Sequence, residues 1–236
     1  MAERTVTTKR GFILYDGTLM RYVQEDLFSP GEWGKRETLR GTVGGRGQAW
    51  IVQSEDGEWV LRHYRRGGLV AHFISDYYLW TGLQQTRPWR EWRLLSALYK
   101  QGLPVPQPVA AHVRRYGLVY LGDLITRLIP ETRSLAARLQ ETRAEDLPWD
   151  RIGACIRRFH DAAAFHADLN AHNILIDVRD DIFLIDFDRS ELYASGTHWK
   201  AANLRRLRRS LHKLAIPGLM QGPAWPALME GYARAG

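Results

Sequence analysis

Hydrophobic and polar positions divide this chain into regions of different character. Residues 1–40 show no sustained periodicity, carry turn signals at Asp16-Gly17 and Ser29-Pro30-Gly31, and read as irregular. From Gly41 the chain runs Gly-Thr-Val-Gly-Gly-Arg-Gly-Gln-Ala-Trp-Ile-Val, a glycine-rich turn leading into a strand, and residues 59–64 make a second strand. Residues 89–99 have a helical pattern that Gly102 and Pro104 stop. Residues 118–121 and 124–130 read as strands, the second running into a hinge before Ser134. Beyond that point the pattern turns helical, over residues 134–141 and 149–164. Two short apolar runs, 174–176 and 182–185, then flank Asp177-Val178-Arg179-Asp180-Asp181, which predicts a hairpin. Leu204, Leu207, Leu211 and Leu214 recur at three- and four-residue steps and mark a late amphipathic helix. Its other face carries Arg205, Arg206, Arg208, Arg209 and Lys213. The order of elements predicts an α+β fold of two lobes, a mainly β one over residues 1–130 and a reduced, mainly helical one over residues 131–236.

Composition narrows this picture. With 236 residues, 45% hydrophobic and 25% charged, the chain is long enough for a real core and ordinary for a soluble globular protein. One cysteine, Cys155, rules out a disulfide framework and a cysteine-rich zinc site; its half-apolar helical setting predicts a buried structural thiol. No apolar signal core opens the sequence and no run approaches the ~20 apolar residues of a spanning helix, so a cytoplasmic location is expected. The net charge is +7, and of the 33 Lys and Arg only five are Lys. Arg suits planar, two-pronged recognition of phosphate and carboxylate, so an anionic partner is expected: a nucleotide, a nucleic acid or an acidic lipid surface. A further segment, residues 69–80, is rich in aromatic and aliphatic residues; it suits core packing or, flanked by Arg, a bilayer interface.

The candidate chemistry lies in Phe165-His166-Ala167-Asp168-Leu169-Asn170-Ala171-His172-Asn173 and in Ile185-Asp186-Phe187-Asp188. Asn173 stands five residues after Asp168, and Asp186 thirteen after Asn173. Phosphoryl transfer needs one carboxylate to align the attacking hydroxyl, while an amide oxygen and a second carboxylate hold magnesium on the triphosphate. If the hairpin turns near Arg179 and Asp180, Asn173 lies opposite Asp186. Directly opposed residues are ~5 Å apart, within reach of one ion. Asp168 is therefore the candidate catalytic residue, Asn173 and Asp186 the candidate metal ligands, and His166 a loop-holding residue. Ordinary turn and cap residues are the competing explanation for Asp and Asn in such places. Asp188 is an alternative metal ligand, although the neighbouring Arg189 suggests a structural pair. Gly41, Gly44, Gly45, Arg46 and Gly47 can cover phosphates with backbone amides. Arg62 takes the place of the strand lysine of protein kinases, with Glu91 as its expected ion-pair partner. Asn170 stands where such kinases often carry a lysine aimed at the γ-phosphate, so Arg46 or another Arg is expected to supply that charge.

These segments resemble a known family. The glycine-rich stretch, Tyr64-Arg65-Arg66-Gly67-Gly68-Leu69, Thr86-Arg87-Pro88-Trp89-Arg90-Glu91, Gly102-Leu103-Pro104-Val105-Pro106, His166-Ala167-Asp168-Leu169-Asn170-Ala171-His172-Asn173 and the late helix with Trp199-Lys200 and Asn203-Leu204-Arg205-Arg206-Leu207 are similar to 3-deoxy-D-manno-octulosonic acid (Kdo) kinase. The similarity covers about Gly41 to Leu214. It implies a protein-kinase-like fold with ATP and Mg2+ as cofactors. It also implies transfer to the 4-hydroxyl of Kdo on Kdo–lipid A in lipopolysaccharide core assembly. Such an enzyme works peripherally, on the anionic cytoplasmic side of the inner membrane of Gram-negative bacteria. Independently, only fifty residues follow Asp186 and no Ala-Pro-Glu segment lies among them, which argues against a protein substrate. The rivals are a lipopolysaccharide heptose kinase, another small-molecule kinase and, outside enzymes, a pseudokinase or nucleic-acid-binding module. No nucleic-acid motif supports the last.

Overall fold

The computed structural model describes residues 1–35, 38–43, 49–65, 76–193 and 196–236, with only the backbone of Thr42 and Val43. The chain separates into two compact units, Met1–Lys100 with Gln107–Leu128, and Gln101–Pro106 with Ile129–Gly236. Sheet dominates the first and helix the second, so the architecture is α+β, as the order of sequence patterns predicts.

In the first unit, β1 (Glu3–Thr7), β2 (Gly11–Asp16), the short α1 (Pro30–Lys35), β3 (Leu39–Val43), β4 (Ala49–Ser54), β5 (Gly57–His63), β6 (Tyr78–Leu79), α2 (Arg87–Lys100), β7 (Pro108–Tyr116) and β8 (Val119–Arg127) follow one another. Among the described residues the strands form an antiparallel sheet in the order β1-β2-β7-β8-β5-β4-β3, with β6 on β8. The expected irregular N-terminus is thus corrected: β2 pairs on both sides, and Ile13 and Leu14 are fully buried. Two-sided burial produces a continuous apolar run rather than alternation, so the period of 2 that marks a half-buried strand is missing. The two strands expected at 118–121 and 124–130 are a single one, β8. Its partner β7 was not anticipated, because small residues such as Ala110 and Ala111 fill its buried positions. Ile13, Tyr15, Trp33, Trp59, Leu61, Val109 and Ile125 form one core on the sheet. Helix α2 lies against β7, burying Trp89, Trp92, Leu95 and Leu98.

The second unit contains β9 (Arg133–Ser134), α3 (Leu135–Glu141), α4 (Trp149–Asp161), β10 (Ala164–Phe165), β11 (Ile174–Ile176), β12 (Ile182–Leu184), β13 (Glu191–Leu192), α5 (His198–Lys213) and α6 (Ala224–Arg234). Ser134 caps α3 by accepting from the Ala137 amide at 3.1 Å. Helix α6, not anticipated from the sequence, crosses α4 at backbone contact. A Cβ on Gly153 would lie 1.9 Å from the Leu228 carbonyl oxygen, and one on Gly231 would lie 2.0 Å from that of Asp150. Cys155 is buried on α4, where desolvation pushes its thiol up to about 12, so it packs as an inert small hydrophobe.

Candidate active site

Residues 166–173 join β10 to β11 and form a loop braced from within. The Asn173 amide donates to the Asp168 carbonyl at 2.9 Å, and the Asn170 amide donates to that carbonyl and to Asp168 Oδ2, both at 3.0 Å. Asn170 in turn accepts from the His172 backbone at 2.8 Å. Asn170 therefore spends its side chain on shaping the loop around Asp168. His166 is fully buried and bridges two segments: its Nδ1 accepts from the Asp168 amide at 3.2 Å, and its Nε2 reaches the Ile185 carbonyl at 2.9 Å. Burial lowers its pKa, with the Ile185 bond and the nearby carboxylates of Asp186 and Asp168 opposing. A neutral ring with the proton on Nε2 satisfies both bonds. One imidazole thus ties the residue bearing Asp168 to the residue before Asp186, a holding role as expected.

The hairpin of β11 and β12 forms, but its register is one residue off the expected one. Ile174 pairs with Leu184, and Ile185 donates to the Asn173 carbonyl at 3.0 Å, so Asn173 faces Ile185 and not Asp186. Asp177 sets this register: its Oδ1 accepts from the amides of Arg179 and Asp181, both at 2.8 Å, and centres the turn on Arg179. Those amides hold its carboxyl below the usual range, against the opposing pull of desolvation. Asp186 is the first residue beyond the ladder and takes a left-handed backbone, φ 63°, which Asp tolerates better than most residues.

The donor set suits a hard cation. With its amide nitrogen on the Asp168 carbonyl, Asn173 has Oδ1 as its remaining acceptor, and Asp186 supplies a half-buried carboxylate. Among the described residues no cluster of three or more His, Cys, Asp or Glu forms a complete protein cage. Magnesium needs none: it favours one or two carboxylates and takes its other oxygens from water and phosphate.

Helix α5 supplies contacts that the sequence reading missed. The buried Asn203 donates to the His166 carbonyl at 2.7 Å and accepts from the His166 amide at 3.3 Å. Ser210 accepts from the Ala171 amide at 3.0 Å. Between them Arg206 Nη1 lies 2.6 Å from Asp168 Oδ1. The basic face of α5 suits either solvent or an anionic membrane or substrate; Arg206, exposed on that face, reaches the loop. The available signal was spacing, since positions 203, 206 and 210 fall at i, i+3 and i+7 on one helix face.

In the first unit, Arg62 Nη2 lies 2.5 Å from Glu91 Oε2, with Glu91 buried on α2. The Tyr64 hydroxyl, a partner not anticipated, also donates to Glu91, and Arg62 lies 4.7 Å from the Tyr64 ring centroid. Gly41 sits on β3 opposite Ile51. Gly44, Gly45, Arg46 and Gly47 lie outside the described residues, as does the aromatic insert up to Ser75. Of its remaining part, Tyr78 is buried against Tyr120 on β8, with centroids 5.5 Å apart, while Leu79 is exposed.

Comparison with known proteins places the chain in a family. The model of the lipopolysaccharide kinase (Kdo/WaaP) family matches residues 32–232. A 3-deoxy-D-manno-octulosonic acid kinase of Stenotrophomonas maltophilia (strain R551-3) is 47% identical over 204 residues, covering 86% of this chain and 81% of the relative. One of Xanthomonas campestris pv. campestris (strain B100) has the same identity and coverage. One of Vibrio cholerae serotype O1 (strain ATCC 39315 / El Tor Inaba N16961) is 40% identical over 201 residues, 85% of each chain. Carrying the family's match through both compact units, the chain belongs to the lipopolysaccharide kinase (Kdo/WaaP) family.

Proposed function

We propose that this protein is an ATP-dependent phosphotransferase that phosphorylates the 4-hydroxyl of Kdo on Kdo–lipid A during assembly of the lipopolysaccharide core. The observation that carries this reading is the identity of 40–47% to proteins named 3-deoxy-D-manno-octulosonic acid kinase, spread over more than four-fifths of both chains. The bracing of Asp168, Asn173 and the Asp186 segment around one buried histidine supports it.

In this reading the 131–236 lobe carries the chemistry and the 1–130 lobe serves the nucleotide. Asp168 is the catalytic carboxylate: it orients the sugar hydroxyl and takes its proton as the new O–P bond forms and the bond to ADP breaks. Asn173 Oδ1 and the Asp186 carboxylate would hold magnesium. When bound, the ion neutralises charge on the triphosphate. Gly41, Gly44, Gly45, Arg46 and Gly47 cover the phosphates. Arg62, held by Glu91, offsets their charge, with a fork where a kinase lysine offers a point charge.

No helix among the described residues is long and apolar enough to cross a membrane. Attachment to the anionic inner-membrane surface would be peripheral, through exposed Arg205, Arg208, Arg209 and Lys213 on α5. Each is worth about 1 kcal/mol near such a surface, so binding should be reversed by salt. Mass spectrometry tests the substrate: incubation with ATP should add one phosphate to Kdo–lipid A and none to lipid A lacking Kdo. Equal labelling of both, or labelling of heptose alone, refutes the assignment to Kdo while leaving the phosphotransferase standing.

A further inference from the structure

We propose that Arg206 is a substrate-binding residue: it receives an anionic oxygen group of the substrates beside the reacting hydroxyl. The proposal rests on the reading of Asp168 as the carboxylate that meets that hydroxyl.

The loop itself carries no Lys or Arg at this point. Its polar side chains near Asp168 are Asn170, His172 and Asn173, and both asparagines spend their amides on the Asp168 segment. An incoming phosphoryl group would meet the negative charge of Asp168 with no guanidinium or ammonium of the loop beside it. The missing charge arrives from a different element. Helix α5 is anchored to the loop one turn before Arg206 by Asn203 and one turn after it by Ser210, and it buries Leu204, Leu207 and Leu211. Rotation of the helix is thereby set, and the guanidinium is delivered to Asp168 Oδ1 at 2.6 Å.

The pair has the character of a resting contact rather than a strut. Its side chains are 46% and 53% exposed, a setting in which ion pairs add little to stability. Among the described residues Asp168 is the one polar partner recorded for Arg206. A guanidinium has five N–H donors in a fork that matches phosphate and carboxylate, so donors remain for a second oxyanion. Two substrate groups present that chemistry near the hydroxyl: the phosphoryl group in transfer and the carboxylate of an acidic sugar.

The test compares the parent with Arg206→Gln and Arg206→Lys, using Kdo–lipid A, its carboxyl-reduced form and ATP without acceptor. Arg206→Gln should lower kcat/KM by about 100-fold, the usual cost of deleting one preorganised donor at a developing charge. Its melting temperature should match the parent, and Arg206→Lys should recover part of the loss. If the phosphoryl group is the ligand, acceptor-free ATP hydrolysis falls in parallel and KM for the acceptor holds. If the sugar carboxylate is the ligand, KM for the acceptor rises, hydrolysis holds, and the carboxyl-reduced acceptor no longer separates variant from parent. Parent-like kcat and both KM values in Arg206→Gln overturn the proposal. A loss matched by a lower melting temperature, with no recovery by Lys, overturns it as well. Should the parent phosphorylate no Kdo acceptor, the substrate reading fails. Acceptor-free hydrolysis then still judges Arg206, and equal rates in parent and Arg206→Gln reject it.

Discussion

Two arginine–carboxylate pairs, one in each compact unit, have the same chemistry and opposite settings. Arg62 and Glu91 meet with Glu91 buried, its side chain 2% exposed, and with the Tyr64 hydroxyl as a further donor to the same oxygen. Arg206 and Asp168 meet with both side chains about half exposed. Removing either partner of a buried pair leaves a charge stranded in low dielectric, so such a pair resists exchange. An exposed pair is screened and releases its partners at little cost. The buried pair therefore holds its arginine in one place, and the exposed one can trade partners with a substrate.

The largest effect that can break this comparison is in turnover. Asp168→Asn should reduce kcat by about 1,000-fold, within the range for losing a positioned general base, while the denaturation midpoint and ATP affinity stay near the parent's. Asp186→Asn should differ by also weakening ATP binding when magnesium is present; identical ATP titrations for both variants, with and without magnesium, contradict that division. Next comes the buried pair. Glu91→Ala should destabilise the protein by about 3 kcal/mol in urea unfolding, since it removes the buried carboxylate that Arg62 and Tyr64 share. A loss under about 1 kcal/mol would place it with surface pairs and erase the contrast.

Acid exposes a further likeness between the units. His112 in the first and His160 in the second are buried, and desolvation lowers both from 6.5 to about 4. At His112, Asp123 opposes this shift and Arg114 reinforces it; at His160 the bond to Asn203 opposes it. Folded-state values below the unfolded ones mean that the unfolded chain takes up protons first. Their stabilisation is complete above about pH 6.5 and is lost as pH falls toward 4, at about 1.4 kcal/mol per pH unit for each group. Urea midpoints measured from pH 7.5 to 4.5 should fall, and His112→Gln or His160→Gln should flatten the slope. The smallest effect is that of Arg206→Gln on stability, under about 1 kcal/mol by the same urea measurement.

Several of these features were legible in the sequence, for physical reasons that can be named. The hairpin of β11 and β12 and the late helix each leave a local mark, two apolar runs around a turn and leucines at helical spacing, whereas the Arg62–Glu91 contact was legible through the kinase pattern of strand cation and helix glutamate. The hairpin register was missed by one residue because the Asp177 carboxylate, rather than a dipeptide turn, closes the loop. Strand β2 was hidden by burial on both sides, and β7 by its alanines. Helix α6 escaped because Pro226 sits within its first turn, where proline is tolerated but reads as a breaker. The Asp168–Arg206 pair spans 38 residues: the i, i+3 and i+7 spacing of Asn203, Arg206 and Ser210 marks a shared face of α5 but not the loop which that face meets.

That rotation carries a consequence for how the chain can change in length. An α-helix turns about 100° per residue, from 3.6 residues per turn. A single insertion or deletion between Asn203 and Ser210 would swing Arg206 or Ser210 off the loop while leaving the composition and helicity of α5 almost untouched. Substitution at the exposed positions 205, 208 and 209 changes charge but keeps the phase. Helix α5 therefore behaves as a ratchet tooth against the loop, tolerant of what it displays outward and intolerant of any shift in count.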